Sequence, residues 1–252
     1  MNETRTSAPR AAPRVLGILG GMGPEATILL MSRILRATPA TDDADHIPLL
    51  VDSNTRVPSR IRHLIERSGP DPTPVLIGMA RRLHAAGAEA LAMPCNTAHG
   101  YLPAVAAAVP IPFLDMVSLT AAKAAAEAPP GPIGVIGSPA LEITGLYERA
   151  FAAHGRGTLH PEDRDALLGA IRAVKAGREA EALAPLRAAT EALAAAGAAA
   201  GVVACSEFSL VVERLGGPLL LVDAVDVLTE ACVGFALDTP LHGEPAERAP
   251  IG

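Results

Sequence analysis

The segment ALAMPCNTAH, residues 90–99, places a cysteine directly after an apolar run and follows it with small polar residues. The segment GVVACSE, residues 201–207, repeats this order. Short apolar runs that end at polar residues are typical of buried parallel strands. Because ligands bind at the carboxyl ends of the strands in open α/β sheets, Cys95 and Cys205 are predicted to face one shared cleft.

A similar succession of elements surrounds both cysteines. Cys95 is followed 20 residues later by Asp115, which ends a short apolar run, and Cys205 is followed 18 residues later by Asp223 in the same setting. The Pro- and Gly-rich residues 128–132 separate the two halves. Because apolar runs alternate with helical patterns, we predict an α/β fold of two similar, duplicated parallel-sheet domains with the active site in the cleft between them.

This duplication sets the expected domain organisation. The first α/β domain is predicted to span residues 15–116 and to be joined by the C-terminal segment 221–238. The second α/β domain is predicted to span residues 117–220. Residues 1–14 and 239–252 are expected to be flexible ends, as is usual for chain termini that no packing restrains.

Composition narrows the class of protein. The chain has 252 residues, which allows two modest cores, and a formal net charge of −6, which argues against a nucleic-acid partner because phosphate needs basic groups. No apolar run approaches the roughly 18 residues of a membrane span, and no signal-peptide core precedes Val15. Three cysteines without a CxxC pair predict neither a metal site nor a disulfide framework. We therefore expect a cytoplasmic protein with no membrane partner.

Two opposed thiols suit stereochemical inversion at an acidic carbon. One thiolate removes the α-proton from one face, and the opposite thiol delivers a proton to the other. The thiol pKa, ordinarily about 8.5, must fall for the thiolate to form, and we expect a helix N-terminus after each cysteine to lower it. Backbone N–H groups there could also hold a substrate carboxylate, assisted by the side chains of Asn96, Thr97 and Ser206. Cys232 lies in an apolar helical stretch and is predicted to be structural.

The polar loop 52–60 follows the second apolar run and has two interpretations. It is either a solvated loop or it brings Asn54 and Arg60 to the cleft, where Arg60 would bind a substrate carboxylate through two parallel hydrogen bonds. Lys175 is either a second cation of the same site or an ordinary surface lysine.

The residues Gly21, Gly23 and Ala26 form a G-x-G-x-x-A pattern after an apolar run, which is a weak signal for dinucleotide binding. The fingerprint requires an acidic residue about 20 positions later, at the end of the second apolar run, but Asp42, Asp43 and Asp45 precede that run and Asp52 at its end is 31 positions after Gly21. We therefore interpret the glycines as a turn that lets the backbone approach a small substrate.

His99 stands four residues after Cys95, which one helical turn would bring together. A cysteine hydrolase would use such a pair, but that interpretation leaves Cys205 unexplained. His99 could instead tune the Cys95 thiolate, and Glu207 could tune Cys205 or cap a helix.

The segments GGMGPEAT (residues 20–27), PCNTAH (94–99) and CSE (205–207) together resemble the motifs of the aspartate/glutamate racemase family of cofactor-independent amino-acid racemases. The Gly-Met-Gly-Pro start is most similar to the aspartate racemase branch, and the similarity runs from about residue 15 to 237. The resemblance implies two similar α/β domains with the site between them, no cofactor, a small-molecule amino-acid substrate and a homodimer.

Carried over position by position, the resemblance implies that Cys95 and Cys205 are the two catalytic bases. The positions implied to hold the substrate's α-carboxylate are Asn96, Thr97 and Ser206. The positions implied to contact its side chain are Arg60 and Lys175, and the pocket-lining stretch of the second half includes Thr144 and Tyr147. Ser59 and Ser206 depart from the family's usual aspartate and threonine, and the first departure bears on how strictly an acidic side chain is selected.

We therefore predict an isomerase that needs no pyridoxal phosphate and interconverts the L- and D-enantiomers of an amino acid, aspartate or glutamate. Within the wider superfamily the alternatives are a hydantoin racemase and a maleate isomerase. The arylmalonate decarboxylases are disfavoured because they resemble this pattern with a single cysteine. From a different class, the alternative is a non-catalytic protein that binds a small acid or a dinucleotide.

Overall fold

The computed structural model describes residues 12–238. This part of the chain folds into two four-stranded parallel sheets with the orders β2-β1-β3-β4 and β6-β5-β7-β8. The strands are β1 Leu16–Gly20, β2 Leu49–Ser53, β3 Ala90–Ala92, β4 Phe113–Leu114, β5 Ile133–Gly137, β6 Thr158–Leu159, β7 Ala200–Ala204 and β8 Leu221–Asp223. Both sheets have the same order relative to their first strand, so the predicted α/β fold with two similar parallel sheets is confirmed.

Helices connect the strands of each sheet, as parallel pairing requires. They are α1 Pro24–Ala37, α2 Arg60–Leu64, α3 Thr73–Ala85, α4 Leu102–Ala106, α5 Met116–Glu127, α6 Pro139–Thr144, α7 Leu146–Ala152, α8 Arg164–Lys175, α9 Ala180–Ala195 and α10 Ala224–Leu237. A 3₁₀ helix follows each of the two cysteines. No helix among residues 12–238 is long and apolar enough to cross a membrane.

Glycines at matching positions of the two central strands let helices pack tightly on the sheets. A Cβ on Gly17 of β1 would lie 2.7 Å from Leu91 Cδ2, and a Cβ on Gly134 of β5 would lie 2.8 Å from Leu193 Cδ1. Distances this short are overlaps, so any larger residue would push a helix or a neighbouring strand away. The glycine of each opening strand therefore has a packing role that the duplication repeats.

The C-terminal segment is shared between the two halves, which corrects part of the predicted domain division. Strand β8 pairs with β7, with Val222 opposite Val202, so residues 221–223 belong to the second sheet. Helix α10 then crosses to the first half, where Leu228 packs in the same apolar cluster as Leu16. The chain changes halves directly after Asp223 because that residue both ends the strand and caps the helix. The remaining domain boundaries stay predictions.

The predicted flexible ends fall almost entirely outside the described residues. Residues 1–11 and 239–252 are not described. Arg14, however, is anchored: its backbone N–H donates to the carbonyl of Ala236 at 2.9 Å, and its guanidinium lies 4.1 Å from the ring centroid of Phe235. The predicted flexible segment therefore does not extend to Arg14.

Candidate active site

The two cysteines lie at equivalent positions, at the carboxyl ends of β3 and β7. Each residue is 6% exposed and is followed by a 3₁₀ helix. Residues 95–101 are called the Cys95 loop below, and residues 205–210 the Cys205 loop. Both thiols are thus nearly buried at the sheet edges where α/β proteins bind ligands.

The turn after β1 brings the first half into contact with the second. A Cβ on Gly23 would lie 3.5 Å from Oε1 of Glu207 and 4.0 Å from Nζ of Lys175. Because Gly23 carries no side chain, backbone of the first half directly approaches these charges of the second. The turn therefore places the first half directly against the charged groups next to Cys205.

The thiol of Cys205 is held by a carboxylate. Its Sγ donates to Oε2 of Glu207 at 3.1 Å. Burial raises the pKa of Cys205, and the charge and hydrogen bond of Glu207 raise it further, well above the ordinary value. Cys205 is therefore a protonated thiol in this structure. The expectation that a helix N-terminus lowers its pKa is wrong, because the helix that follows is a single 3₁₀ turn, while burial and the Glu207 carboxylate raise the pKa.

Lys175 completes this arrangement from the end of α8. Its Nζ lies 2.7 Å from Oε1 of Glu207, so one carboxylate joins the ammonium and the Cys205 thiol. Partial burial lowers the pKa of Lys175, but the charge and hydrogen bond of Glu207 outweigh that effect and the net shift is upward. Lys175, the candidate for a second cation, therefore pairs with the same carboxylate that accepts from Cys205.

His99 supports the backbone of the Cys95 loop. Its Nε2 accepts from the N–H of Met116 at 3.1 Å, so Nδ1 carries the proton and donates to the carbonyl of Cys95 at 2.9 Å. Burial lowers the pKa of His99, which keeps the ring neutral. Both ring nitrogens are engaged by the backbone, so His99 has no free nitrogen with which to deprotonate Cys95. The hydrolase interpretation is wrong for this reason.

Asn96 offers a free donor next to Cys95. Its Oδ1 accepts from the hydroxyl of Tyr147 at 2.7 Å, which fixes the orientation of the amide. Its Nδ2 is buried and has no hydrogen-bond partner among the described residues. A buried donor without a partner is costly, so this N–H group is suited to a ligand such as a carboxylate. Tyr147 was placed near the pocket only by the resemblance, and its contact with Asn96 joins the two halves.

Arg60 lies at the start of α2 without a carboxylate partner. Its Nη1 donates to the carbonyl of Pro58 at 2.8 Å, and its Nη2 lies 3.5 Å from the carbonyl of Met22 in the turn after β1. Its Nε is buried and has no partner in the described part of the chain. No ion pair of residues 12–238 includes Arg60. A half-buried guanidinium held only by carbonyls retains its full positive charge, which favours an anionic ligand.

Two predicted binding residues use their polar atoms within their own segments. Oδ1 of Asn54 accepts from the N–H of Arg56 at 3.0 Å, and the Asn54 backbone fills the space where a side chain on Gly21, whose φ is +85°, would stand. The hydroxyl of Thr144 donates to the carbonyl of Ala140 at 2.9 Å within α6. For Asn54 and Thr144 the structure therefore gives a local role in the fold.

Ser206 and Thr97 closely follow the two cysteines in the chain, and their role in binding a carboxylate stays a prediction. Ser206 is buried beside Cys205, and Thr97 is half-buried beside Asn96. Sequence reasoning missed Arg33 of α1, whose side chain is 10% exposed and forms an ion pair with Asp223. One sequence feature could have indicated this ion pair: Arg33 adjoins the buried face of α1, and a charge placed there requires a partner.

Comparisons with known proteins agree with this architecture. The sequence profile of the family described as Asp/Glu/hydantoin racemase matches residues 19–232. The broad specificity amino-acid racemase RacX of Bacillus subtilis is 24% identical over 152 residues, which cover 59% of this chain and 65% of that protein. The match therefore spans slightly less than two thirds of the length of this curated relative.

Two solved structures share the fold. Aspartate racemase from Picrophilus torridus has a TM-score of 0.79 at 23% identity, covering 88% of this chain and 94% of that one. An aspartate racemase homologue from Pyrococcus horikoshii has a TM-score of 0.70 at 17% identity, covering 88% and 99%. The profile match over most of the sequence confirms what the three motifs predicted, and this chain belongs to the Asp/Glu/hydantoin racemase family.

Proposed function

We propose that this chain is a cofactor-independent amino-acid racemase in which Cys95 and Cys205 exchange protons with opposite faces of the substrate's α-carbon. Membership of the family supports the reaction class. The single observation that carries the mechanism is that the two halves place buried thiols at matching strand ends, while Glu207, which holds the Cys205 thiol, lies against the turn after β1 of the first half.

The protonation of Cys205 suggests the direction of the first step. The Cys95 thiolate removes the α-proton, the electron pair stays on the substrate, and the Cys205 thiol delivers its proton to the opposite face. Cys205 is left as a thiolate between the charges of Glu207 and Lys175. In the reverse direction Cys205 is the base and Cys95 the acid. The developing negative charge of the substrate requires preorganised donors, which contribute most of the rate enhancement in reactions of this type.

The free donors around Cys95 suggest how the substrate binds. Nδ2 of Asn96, together with Thr97 and Ser206, would hold the α-carboxylate, and Arg60 would bind a side-chain carboxylate. Lys175 is already paired with Glu207, so we expect Arg60 to determine the preference for aspartate or glutamate more than Lys175 does. Homodimer formation and a cytoplasmic location stay predictions.

A screen in heavy water tests the proposed function. Enantiopure amino acids, hydantoins and maleate are incubated with the protein, and NMR follows the α-hydrogen while chiral chromatography follows the enantiomers. The expected result is deuterium at Cα together with formation of the opposite enantiomer of aspartate or glutamate. Conversion of a hydantoin or of maleate instead would replace the substrate assignment, and binding without any deuterium incorporation would mean a non-catalytic protein.

A further inference from the structure

An arginine of the first half, whose side chain is 10% exposed, reaches the Cys205 loop of the second. Arg33 lies in α1, and its Nη1 is 2.8 Å from Oδ2 of Asp223 and 3.2 Å from Oδ1 of Asp226. Its Nη2 donates to the carbonyl of Ser209 at 3.0 Å. One guanidinium thus contacts two acidic side chains and a backbone carbonyl, which the planar fork of arginine permits and a lysine ammonium does not reproduce.

These contacts continue to the backbone of Cys205. The hydroxyl of Ser209 donates to Oδ1 of Asp223 at 2.5 Å, and the N–H of Ser209 lies 3.3 Å from the carbonyl of Cys205. Asp223 also accepts from the N–H of Val225 at 2.9 Å and so caps α10. A continuous set of hydrogen bonds therefore links Arg33 to the residue that carries the thiol.

The Cys95 loop is held across the halves in a reciprocal way. Tyr147 is fully buried in the core of the second half, and its hydroxyl donates to Oδ1 of Asn96 at 2.7 Å. Burial raises the pKa of Tyr147, so the phenol remains a donor. Each cysteine loop is thus fixed by a buried polar side chain that belongs to the other half of the chain.

We propose that Arg33 is a positioning residue, which sets the distance of Cys205 from a substrate bound at the Cys95 loop. This inference rests on the proposed two-cysteine function. The guanidinium is already paired with Asp223 and reaches Cys205 only through the hydrogen bonds of Ser209, so we infer that its effect on Cys205 is geometric. A displacement of about 1 Å between a catalytic group and its substrate can cost about 100-fold in rate. Loss of Arg33 should therefore slow proton transfer between Cys205 and the substrate's α-carbon, and leave proton transfer by Cys95 nearly unchanged.

The test uses a reaction that needs only one of the two bases. When a base removes the α-proton of a 3-chloro amino acid, chloride leaves from C3, and water hydrolyses the resulting enamine to a keto acid and ammonia. The probes are both enantiomers of threo-3-chloroaspartate or threo-3-chloroglutamate, matching the acid that the protein racemises. The variants Cys95→Ser and Cys205→Ser identify which enantiomer depends on which cysteine, and keto acid formation is the readout.

In Arg33→Lys and Arg33→Gln we expect elimination from the Cys205-dependent enantiomer to fall about 10- to 100-fold, with less than about a twofold change for the other enantiomer. Racemisation should fall by the same factor as the affected elimination. Arg36→Gln, which changes an exposed arginine of the same helix, is the matched control. If the Arg33 variants do not fold, Asp226→Asn removes one exposed partner and should give a smaller effect with the same selectivity.

The outcomes separate this inference from the proposed function. Equal losses for both enantiomers in the Arg33 variants, or no loss for either, would show that Arg33 does not position Cys205. If the two serine variants do not discriminate between the enantiomers, the two-cysteine mechanism itself is wrong, and the role of Arg33 falls with it.

Discussion

The Cys95 loop and the Cys205 loop occupy equivalent places in a duplicated fold but provide different chemical surroundings. Two residues after the cysteine, the first loop has Thr97 and the second has Glu207, whose carboxylate accepts the Cys205 hydrogen bond and pairs with Lys175. Among residues 12–238, no carboxylate forms such a bond to Cys95. The two halves therefore place their thiols at equivalent positions, while Glu207 increases how strongly Cys205 holds its proton.

The position four residues after each cysteine shows the same principle. His99 contacts the N–H of Met116, at the start of the helix capped by Asp115, and Ser209 donates to Asp223, which caps α10. Both side chains therefore tie a cysteine loop to the start of the next helix. The first does so with a neutral imidazole and the second with a hydroxyl next to a buried ion pair, so equivalent support is built from different residues.

Replacement of either cysteine should have the largest effect on activity. Cys95→Ser and Cys205→Ser should each lower racemisation about 10²- to 10⁴-fold in both directions, because a serine hydroxyl is too weak an acid and base for this proton transfer. Cys232→Ser is the matched control, since Cys232 is buried in α10 within the apolar cluster of the first half. Equal loss in all three variants would show that the cysteines serve packing, and polarimetry measures the rates.

The next effect concerns the two cations. Arg60→Gln should raise KM for an acidic amino acid about 10- to 100-fold, because a charged hydrogen bond to the substrate is lost. Lys175→Gln should lower kcat more than it raises KM, because the positive charge of Lys175 counteracts the upward shift of the Cys205 pKa. Steady-state kinetics of both variants check this contrast. If Lys175→Gln raised KM more than Arg60→Gln does, then Lys175 rather than Arg60 would bind the side chain of the substrate.

The third prediction tests why the loops differ. In Glu207→Gln the carboxylate charge is removed, so the pKa of Cys205 should fall and its thiolate should form at lower pH than in the wild type. Ultraviolet absorbance of the thiolate and the pH dependence of alkylation at Cys205, resolved by mass spectrometry, measure the shift. Glu213→Gln, at an exposed position, should leave the titration unchanged. An unchanged Cys205 titration in the Glu207 variant would contradict the proposed origin of the asymmetry.

The smallest predicted effect is on the pH dependence of stability, and it comes from the buried thiol of Cys232. Burial raises the pKa of Cys232 to about 12, above the ordinary value of about 9 in the unfolded chain. Above pH 9 the unfolded state releases this proton while the folded state retains it, so the free energy of unfolding should decline with rising pH, by about 1.4 kcal/mol per pH unit for this group. Cys232→Ala should reduce that slope in urea titrations between pH 9 and 11, and an identical slope would contradict it.

The sequence predicted those features that depend on local pattern. Apolar runs that end at Cys95 and Cys205 located both strand ends, and the repeat of these runs predicted two similar sheets. It did not predict the direction in which the Cys205 pKa shifts, because Lys175 and Glu207 are 32 positions apart and meet only when α8 packs beside the sheet. The Arg33–Asp223 pair, separated by 190 positions, likewise depends on how the halves dock.

The proposed exchange of protons from opposite faces is tested most directly by the isotope content at Cα early in the reaction. One enantiomer carrying protium at Cα is converted in heavy water, and both enantiomers are separated and analysed by mass spectrometry within the first few per cent of conversion. We expect deuterium in the newly formed enantiomer and protium in the remaining substrate, since different thiols remove and deliver the proton. Product that retains the original protium would mean that a single base serves both faces, and the proposed exchange between two cysteines would be wrong.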